Sequence, residues 1–217
     1  MANEQEKSAI FRVMKNITSP CVVELGARTG EDEPWIRGVC HEDPCYVMVE
    51  PDLQNAQLII DHPRGIDRNR RLILGAVGEH DGEVQFHVSW NPDDGSRTSG
   101  SIRKPTGHVI YYPKTEFYPH PNTVPCWKLD TIFNKEWLTK IDLLWVDIQG
   151  AERDMIAGGQ EALKRTRYLF VEVESSELYE GQALREDLFA MLPCFQIVED
   201  LGQNVLLRNV NPIEGRI

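Results

Sequence analysis

No stretch of this sequence approaches the roughly 20 consecutive apolar residues that a helix needs to cross a bilayer. The opening MANEQEKSAIF also lacks the apolar core of a signal peptide. A chain that is neither exported nor held in a membrane is expected. Cysteine is sparse and odd in number: Cys21, Cys40, Cys45, Cys126 and Cys194 form no CxxC pair. That pattern indicates neither a disulfide framework nor a structural zinc site, and it suits a reducing cytoplasm. Positive charge is scarce too. With 23 Lys and Arg against 34 Asp and Glu, the net charge is -11, which argues against a protein built to hold phosphate backbones. Internal repeats and linker-like segments are absent, and 217 residues suit a single domain with one sizeable core.

What is present is an alternation of two kinds of segment. Apolar or β-branched runs read as strands at Cys21 to Leu25, Tyr46 to Val49, Arg71 to Val77, Ile141 to Ile148 and Tyr168 to Val173. Helical patterns lie between several of them, at Lys7 to Asn16, Asp52 to Ile60 and Ala151 to Lys164. Near-continuous apolar runs such as Ile141 to Val146 suit strands covered on both faces, as in parallel sheets. The expected architecture is α/β, a mostly parallel doubly wound sheet. The closing 194-CFQIVEDLGQNVLLRN-209 predicts an antiparallel hairpin at the sheet edge. A second hairpin is predicted from Ile73 to Val77 and Glu83 to Val88 around His80-Asp81-Gly82.

Residues 91 to 125 interrupt this rhythm with six prolines, so little regular structure is expected there. The same stretch carries Tyr111, Tyr112, Phe117 and Tyr118, with Arg97, Arg103, Lys104 and Lys114. An ordered loop that covers a substrate is the predicted role.

Candidate binding residues follow from the strand ends. In an open parallel sheet, ligands bind beyond the carboxyl ends of the strands, where glycine lets backbone approach closely. The first strand runs into 24-ELGARTG-30, offering Glu24, Gly26 and Gly30. The second ends in 47-VMVEPD-52, placing Glu50 where a carboxylate accepts both hydroxyls of a ribose. A dinucleotide would need a G-x-G-x-x-G phosphate cradle. Here the middle glycine is missing and Glu24 faces the position of the phosphates. S-adenosylmethionine, with an ammonium, a sulfonium and a ribose but no phosphate, fits that turn better.

The chain resembles the FkbM-type S-adenosylmethionine-dependent methyltransferases. The matching pieces are VVELGARTG (22 to 30), VMVEPD (47 to 52), LILGAVGEHDGEVQFHVS (72 to 89), LDTI (129 to 132), IDLLWVDIQGAERDMIAGGQEAL (141 to 163), FVEVE (170 to 174) and FQIVEDLGQNVLL (195 to 207). The chain departs from the family pattern with Glu24 and Arg28 in the first turn, Trp145 where Lys is common and Gln149 where Glu is frequent. The resemblance implies a Rossmann-like class I methyltransferase fold and O-methylation of a small molecule or glycan. By motif position it implies that Glu24, Gly26, Ala27 and Gly30 line the methionine moiety and that Glu50 holds the ribose. Ala76 and Val77 would lie near the adenine, and Asp147 beside the reactive centre.

A hydroxyl nucleophile sheds a proton during or just after attack, so a base is expected. Asp147 and Glu152 are the catalytic candidates, with Glu172, Glu174, His108 and His120 in reserve. His108, Tyr111, Tyr112, Glu172 and Glu174 are candidate acceptor contacts. Asp147, Glu152 and Glu172 offer oxygen ligands suited to magnesium, though no spacing demands a metal. His41, His62, His80 and His87 are dispersed and read as surface or turn residues. The competing functions are an NAD-dependent oxidoreductase and a cofactor-binding domain without chemistry.

Overall fold

The computed structural model describes residues 2–213. In chain order its elements are α1 (Glu4–Met14), β1 (Cys21–Leu25), α2 (Glu33–Val39), β2 (Cys45–Glu50), α3 (Leu53–Ile60), β3 (Arg70–Leu74), β4 (Ala76–Val77), β5 (Gly82–Phe86), β6 (Ser89–Trp90) and α4 (His108–Tyr111). There follow β7 (Glu116–Phe117), β8 (Asn122–Trp127), α5 (Leu129–Lys135), β9 (Ile141–Val146), α6 (Glu152–Gly158), α7 (Gln160–Lys164), β10 (Thr166–Glu172), α8 (Arg185–Ala190), β11 (Phe195–Asp200) and β12 (Asn204–Asn209). Among the described residues, no helix is long and apolar enough to cross a membrane.

Seven strands form the main sheet in the order β11-β12-β10-β9-β1-β2-β3. The run from β3 to β10 is parallel, while β12 is antiparallel to both β10 and β11. The C-terminal hairpin therefore closes one edge. Strand order reverses between β1 and β9, and at such a switch point the connections leave in opposite directions and a crevice opens at the strand carboxyl ends.

Alternation along each strand divides the core into two layers. Val23, Val47, Leu144 and Val171 pack with α5 to α8 on one face. Val22, Tyr46, Leu143, Trp145 and Phe170 face Ile10 and Met14 of α1, Ile36 of α2 and Ile59 of α3 on the other. Helix α1 begins on a capping box, in which Asn3 accepts from the Glu6 amide and the Glu6 side chain accepts from the Asn3 amide. Asp52 caps α3 in the same manner, accepting from the Gln54 and Asn55 amides.

Three sequence expectations are corrected. The run from Arg71 to Val77 is two strands, because Gly75 (φ 139°) turns the chain out of the main sheet; a Cβ there would lie 2.7 Å from the Pro125 carbonyl. The hairpin around His80-Asp81-Gly82 is not formed. Instead β8 lies between β4 and β5, parallel to the first and antiparallel to the second, since residues remote in sequence complete the small sheet. The helix from Ala151 to Lys164 is broken at Gly159 into α6 and α7, where Leu129 packs so closely that a Cβ on Gly159 would meet it at 2.8 Å.

The stretch from 91 to 125 holds more regular structure than its prolines suggest, with α4, β7 and the start of β8. Ion pairs tie it to the helices beneath. Arg97 reaches Asp52 at 2.7 Å, and Arg103 takes both carboxylate oxygens of Asp154 at 2.9 Å.

Candidate active site

The carboxyl ends of β1, β2, β9 and β10 open into two adjoining hollows. Gly26, Arg28, Thr98, Asp147 and Gln149 line both. Close approach of β1 and β9 depends on Gly26: at φ +79°, a Cβ on it would stand 1.8 Å from the Asp147 carbonyl oxygen. Only glycine fits that turn without displacing backbone.

The first hollow lies between β2 and the small sheet and is lined by Glu50, Asp52, Asn55, Ala76, Val77 and Phe86, among others. Glu50 sits at its floor, accepting from the Arg28 amide at 2.7 Å and the Asp52 amide at 2.8 Å. Burial pushes its carboxyl up to about 8 despite those two donors. Ala76, Val77 and Phe86 supply an apolar wall beside this polar floor, a combination that suits a nucleoside.

The second hollow, of about 400 Å³, runs toward β10. Carboxylates dominate it: Glu24, Glu31, Asp32, Asp147, Glu172 and Glu174 all line it. Burial raises Glu24 well above the ordinary carboxyl range, and the Tyr46 hydroxyl opposes this by donating to Glu24 Oε2 at 2.7 Å. Asp147 opens directly to the hollow. The crevice walls still limit its hydration and raise its carboxyl, while the Gln149 amide donates at 2.6 Å and opposes the rise. Glu172 is pushed to about 9, first by burial and then by the charge of Asp147. Arg28 pairs with Glu31 at 2.5 Å, and the mutual repulsion of Asp147 and Glu172 is what a cationic ligand would relieve.

His108 borders the same hollow from α4. Its ring lies 4.9 Å from Tyr112, 5.3 Å from Phe117 and 5.5 Å from Tyr179. Its Nδ1 is buried without a hydrogen-bond partner, and desolvation lowers its pKa, favouring the neutral imidazole.

Not every sequence candidate reaches this place. Gly30 lines neither hollow; its Cα faces Ile59, Met48 and the Arg70 guanidinium beneath the turn. Glu152 is buried and turned back on its own helix start, accepting from the Gly150 amide at 3.2 Å. Burial raises it to about 7, yet it too lines neither hollow. Tyr111 is 61% exposed and lines neither hollow, whereas Tyr112 lines the second. His120 lines neither hollow and lies with Tyr118 on an open groove on the far side of Asp52 and Arg97 from the first. The magnesium set is not assembled. Asp147 and Glu172 share the Gln149 amide nitrogen, at 2.6 and 3.0 Å, while Glu152 binds Gly150. Among the described residues, no group of three or more His, Cys, Asp or Glu is arranged to hold a metal ion.

The structure also adds residues that sequence reasoning passed over. Tyr46 was hidden inside an apolar strand, and its hydroxyl is explained only by Glu24 on the neighbouring strand, since Tyr46 and Glu24 lie on β2 and β1. Thr98, Ser99 and Leu178 arrive from loops, where no periodicity marks them. The Tyr179 hydroxyl shares its one proton between the Ser99 carbonyl at 2.9 Å and Gln149 Oε1 at 3.0 Å, joining both loops to the Asp147 corner of the crevice.

The sequence profile of the Methyltransferase FkbM domain matches residues 24–204, which include every strand end just described. The chain belongs to the FkbM methyltransferase family. It is an S-adenosylmethionine-dependent methyltransferase, and hydride transfer to NAD has nothing in its favour. Among characterised relatives, 2-O-methyltransferase NoeI of Sinorhizobium fredii is 34% identical over 88% of this chain and 79% of its own. A solved FkbM methyltransferase from Methylobacillus flagellatus superposes with a TM-score of 0.55 at 18% identity, covering 88% of this chain. That likeness shows a shared fold. The methyltransferase described here spans 43% of that longer chain.

Proposed function

We propose that this methyltransferase transfers a methyl group to a hydroxyl of a small molecule or glycan, using the acidic hollow as the meeting place of cofactor and acceptor. The observation that carries the reading is the position of Asp147. It directly follows β9 at the switch point and lines both hollows. Glu50 is suited to the ribose diol, and Ala76 and Val77 to the adenine. Glu24, Gly26 and Ala27, which line the acidic hollow, are assigned to the methionine end. When bound, S-adenosylmethionine supplies the electrophilic methyl group.

Positioning accounts for most of the rate in such an in-line displacement. Asp147 orients the reacting groups and attracts positive charge to the crevice mouth. His108, whose desolvation favours the neutral imidazole, is the candidate to take the acceptor proton, with Asp147 as the alternative acceptor. Tyr112, Glu172 and Glu174 border the space left for the acceptor. Similarity to NoeI supports oxygen as the target atom. Five free cysteines support a reducing, cytoplasmic setting. The negative net charge and carboxylate lining favour a small acceptor over a nucleic acid.

Calorimetry with S-adenosylmethionine and NAD tests the cofactor assignment: binding of the first and not the second is expected. Labelled methyl transfer to a panel of hydroxylated sugars and small molecules tests the acceptor class. Failure to bind S-adenosylmethionine would sink the proposal, and label recovered only on nitrogen or carbon would sink the oxygen assignment.

A further inference from the structure

At the ends of β1 and β2 farthest from the crevice, two cysteines stand side by side. Cys21 opens β1, Cys45 opens β2, and they are register partners in the parallel ladder. Successive side chains alternate between faces, so Cys21 shares a face with Val23 and Leu25, and Cys45 with Val47 and Val49. Those four residues belong to one core layer, and Cys45 packs against it. Both thiols therefore project from adjacent strands onto the same side.

Neighbouring strands run about 4.7–4.9 Å apart, within the roughly 4.4–6.8 Å Cα separation that a disulfide spans. The two thiols also influence each other's titration, in opposite directions. Their surroundings differ. Cys21 is 6% exposed, next to the buried carboxylate of Asp142, which accepts from the Cys21 amide at 3.0 Å. Cys45 is only partly buried, and the charges of Arg71 and Arg37 favour its thiolate, with Glu136 opposing them. The neighbouring Cys21 thiol is the main influence holding Cys45 down, at about 7, whereas Cys21, beside Cys45 and more deeply buried, is raised. One member of the pair is thus the accessible thiolate and the other its protonated neighbour, the division that sulfur oxidation requires.

We propose that Cys21 and Cys45 form a redox modification site that closes to a cross-strand disulfide on exposure to a peroxide. The Cys45 thiolate attacks one peroxide oxygen; an S–O bond forms, the O–O bond breaks, and hydroxide leaves to be protonated. The Cys21 sulfur then attacks the resulting sulfenic acid. An S–S bond forms, the S–O bond breaks, and the departing hydroxide takes the Cys21 proton as water. Two thiols and one hydrogen peroxide give one disulfide and two waters, and a small thiol reverses the change by exchange. The bond ties β1 to β2 at the end remote from Glu24 and Glu50, so cofactor affinity is expected to stay within twofold.

The test uses the full chain treated with equimolar hydrogen peroxide, alkylated with iodoacetamide and cut with trypsin and Glu-C, which cleaves after Glu42 and separates Cys40 from Cys45. A peptide joining Cys21 to Cys45, lost after dithiothreitol, is expected. Cys21→Ser should instead accumulate a Cys45 sulfenic acid that dimedone traps. Phenylarsine oxide, which needs two adjacent thiols, should bind the untreated protein but not Cys45→Ser. The proposal is overturned if all five thiols remain alkylatable, if Cys45 stops at sulfinic acid with Cys21 free, or if the disulfide engages Cys40, Cys126 or Cys194. The wild-type peptide map decides the matter even where a variant folds poorly.

Discussion

The side-chain amide of Gln149 donates to Asp147 Oδ1 at 2.6 Å, and the same nitrogen lies 3.0 Å from Glu172 Oε2. One neutral donor thus serves two carboxylates, with Glu172 held up to about 9 and Glu50, in the adjoining hollow, to about 8. At pH 7 both are mainly protonated, and a cation entering the crevice favours the charged form. Binding of S-adenosylmethionine should therefore release protons, on the order of one per site, and affinity should rise as pH increases from 7 toward 9. Calorimetry in two buffers of different ionisation enthalpy measures this. Identical heats in both buffers would refute it.

The same groups set the stability of the free protein. Folded-state values of about 8 for Glu50, about 7 for Glu152 and about 9 for Glu172 lie above the ordinary carboxyl value. The folded state therefore holds protons that the unfolded chain gives up. Their contribution is fully present below about pH 4.5 and is lost as pH rises through the folded values. Tm should fall by several degrees between pH 6 and pH 9, each kcal/mol being about 2–4 °C in a chain of this size. S-adenosylmethionine should reduce the fall. A Tm that rises over this interval would contradict the account.

Gly26→Ala places a methyl group 1.8 Å from the Asp147 carbonyl at a φ of +79°. Strand ends β1 and β9 must then separate. We expect a loss of about 2 kcal/mol or more and at least a tenfold loss of cofactor affinity. Thermal unfolding and calorimetry check the two effects separately. Wild-type values in both would mean that the turn relaxes without cost.

Arg97 holds the long loop over α3 through Asp52 at 2.7 Å and through its own carbonyl, which accepts from Asn55, and meets the Tyr118 hydroxyl of the same loop at 3.1 Å. Asp52 also caps α3. Arg97→Ala should leave that cap intact but release the loop, with faster proteolysis at residues 91 to 104 and little change in Tm. Proteolysis at the wild-type rate would show that Arg103 and Tyr179 hold the loop by themselves.

Much of the architecture was legible in local pattern. The parallel strands announced themselves as short apolar runs because both faces of each are covered, and Asp52 and the edge hairpin at 194 to 209 carried their own local signals. The hairpin at His80-Asp81-Gly82 was misread because β8, some 40 residues further on, competes for both strands, and no local pattern records such a competitor. Proline in residues 91 to 125 concealed α4 and β8, whose order comes from Arg97 and Arg103 meeting carboxylates on distant helices.

By itself the sequence determined the layered α/β arrangement and the carboxylates at the strand ends, since periodicity and strand length depend on near neighbours in the chain. It also brought Glu24, Glu50 and Asp147 to one edge of the sheet, because each lies within one residue of the carboxyl end of a parallel strand. Only the tertiary structure decided which of them face a ligand. Glu152 and Gly30 turned inward, His108 and Gln149 turned to the crevice, and Cys21 came beside Cys45. Those outcomes depend on register between strands and on loops packed from elsewhere, and side-chain direction across such contacts is set by packing rather than by spacing along the chain.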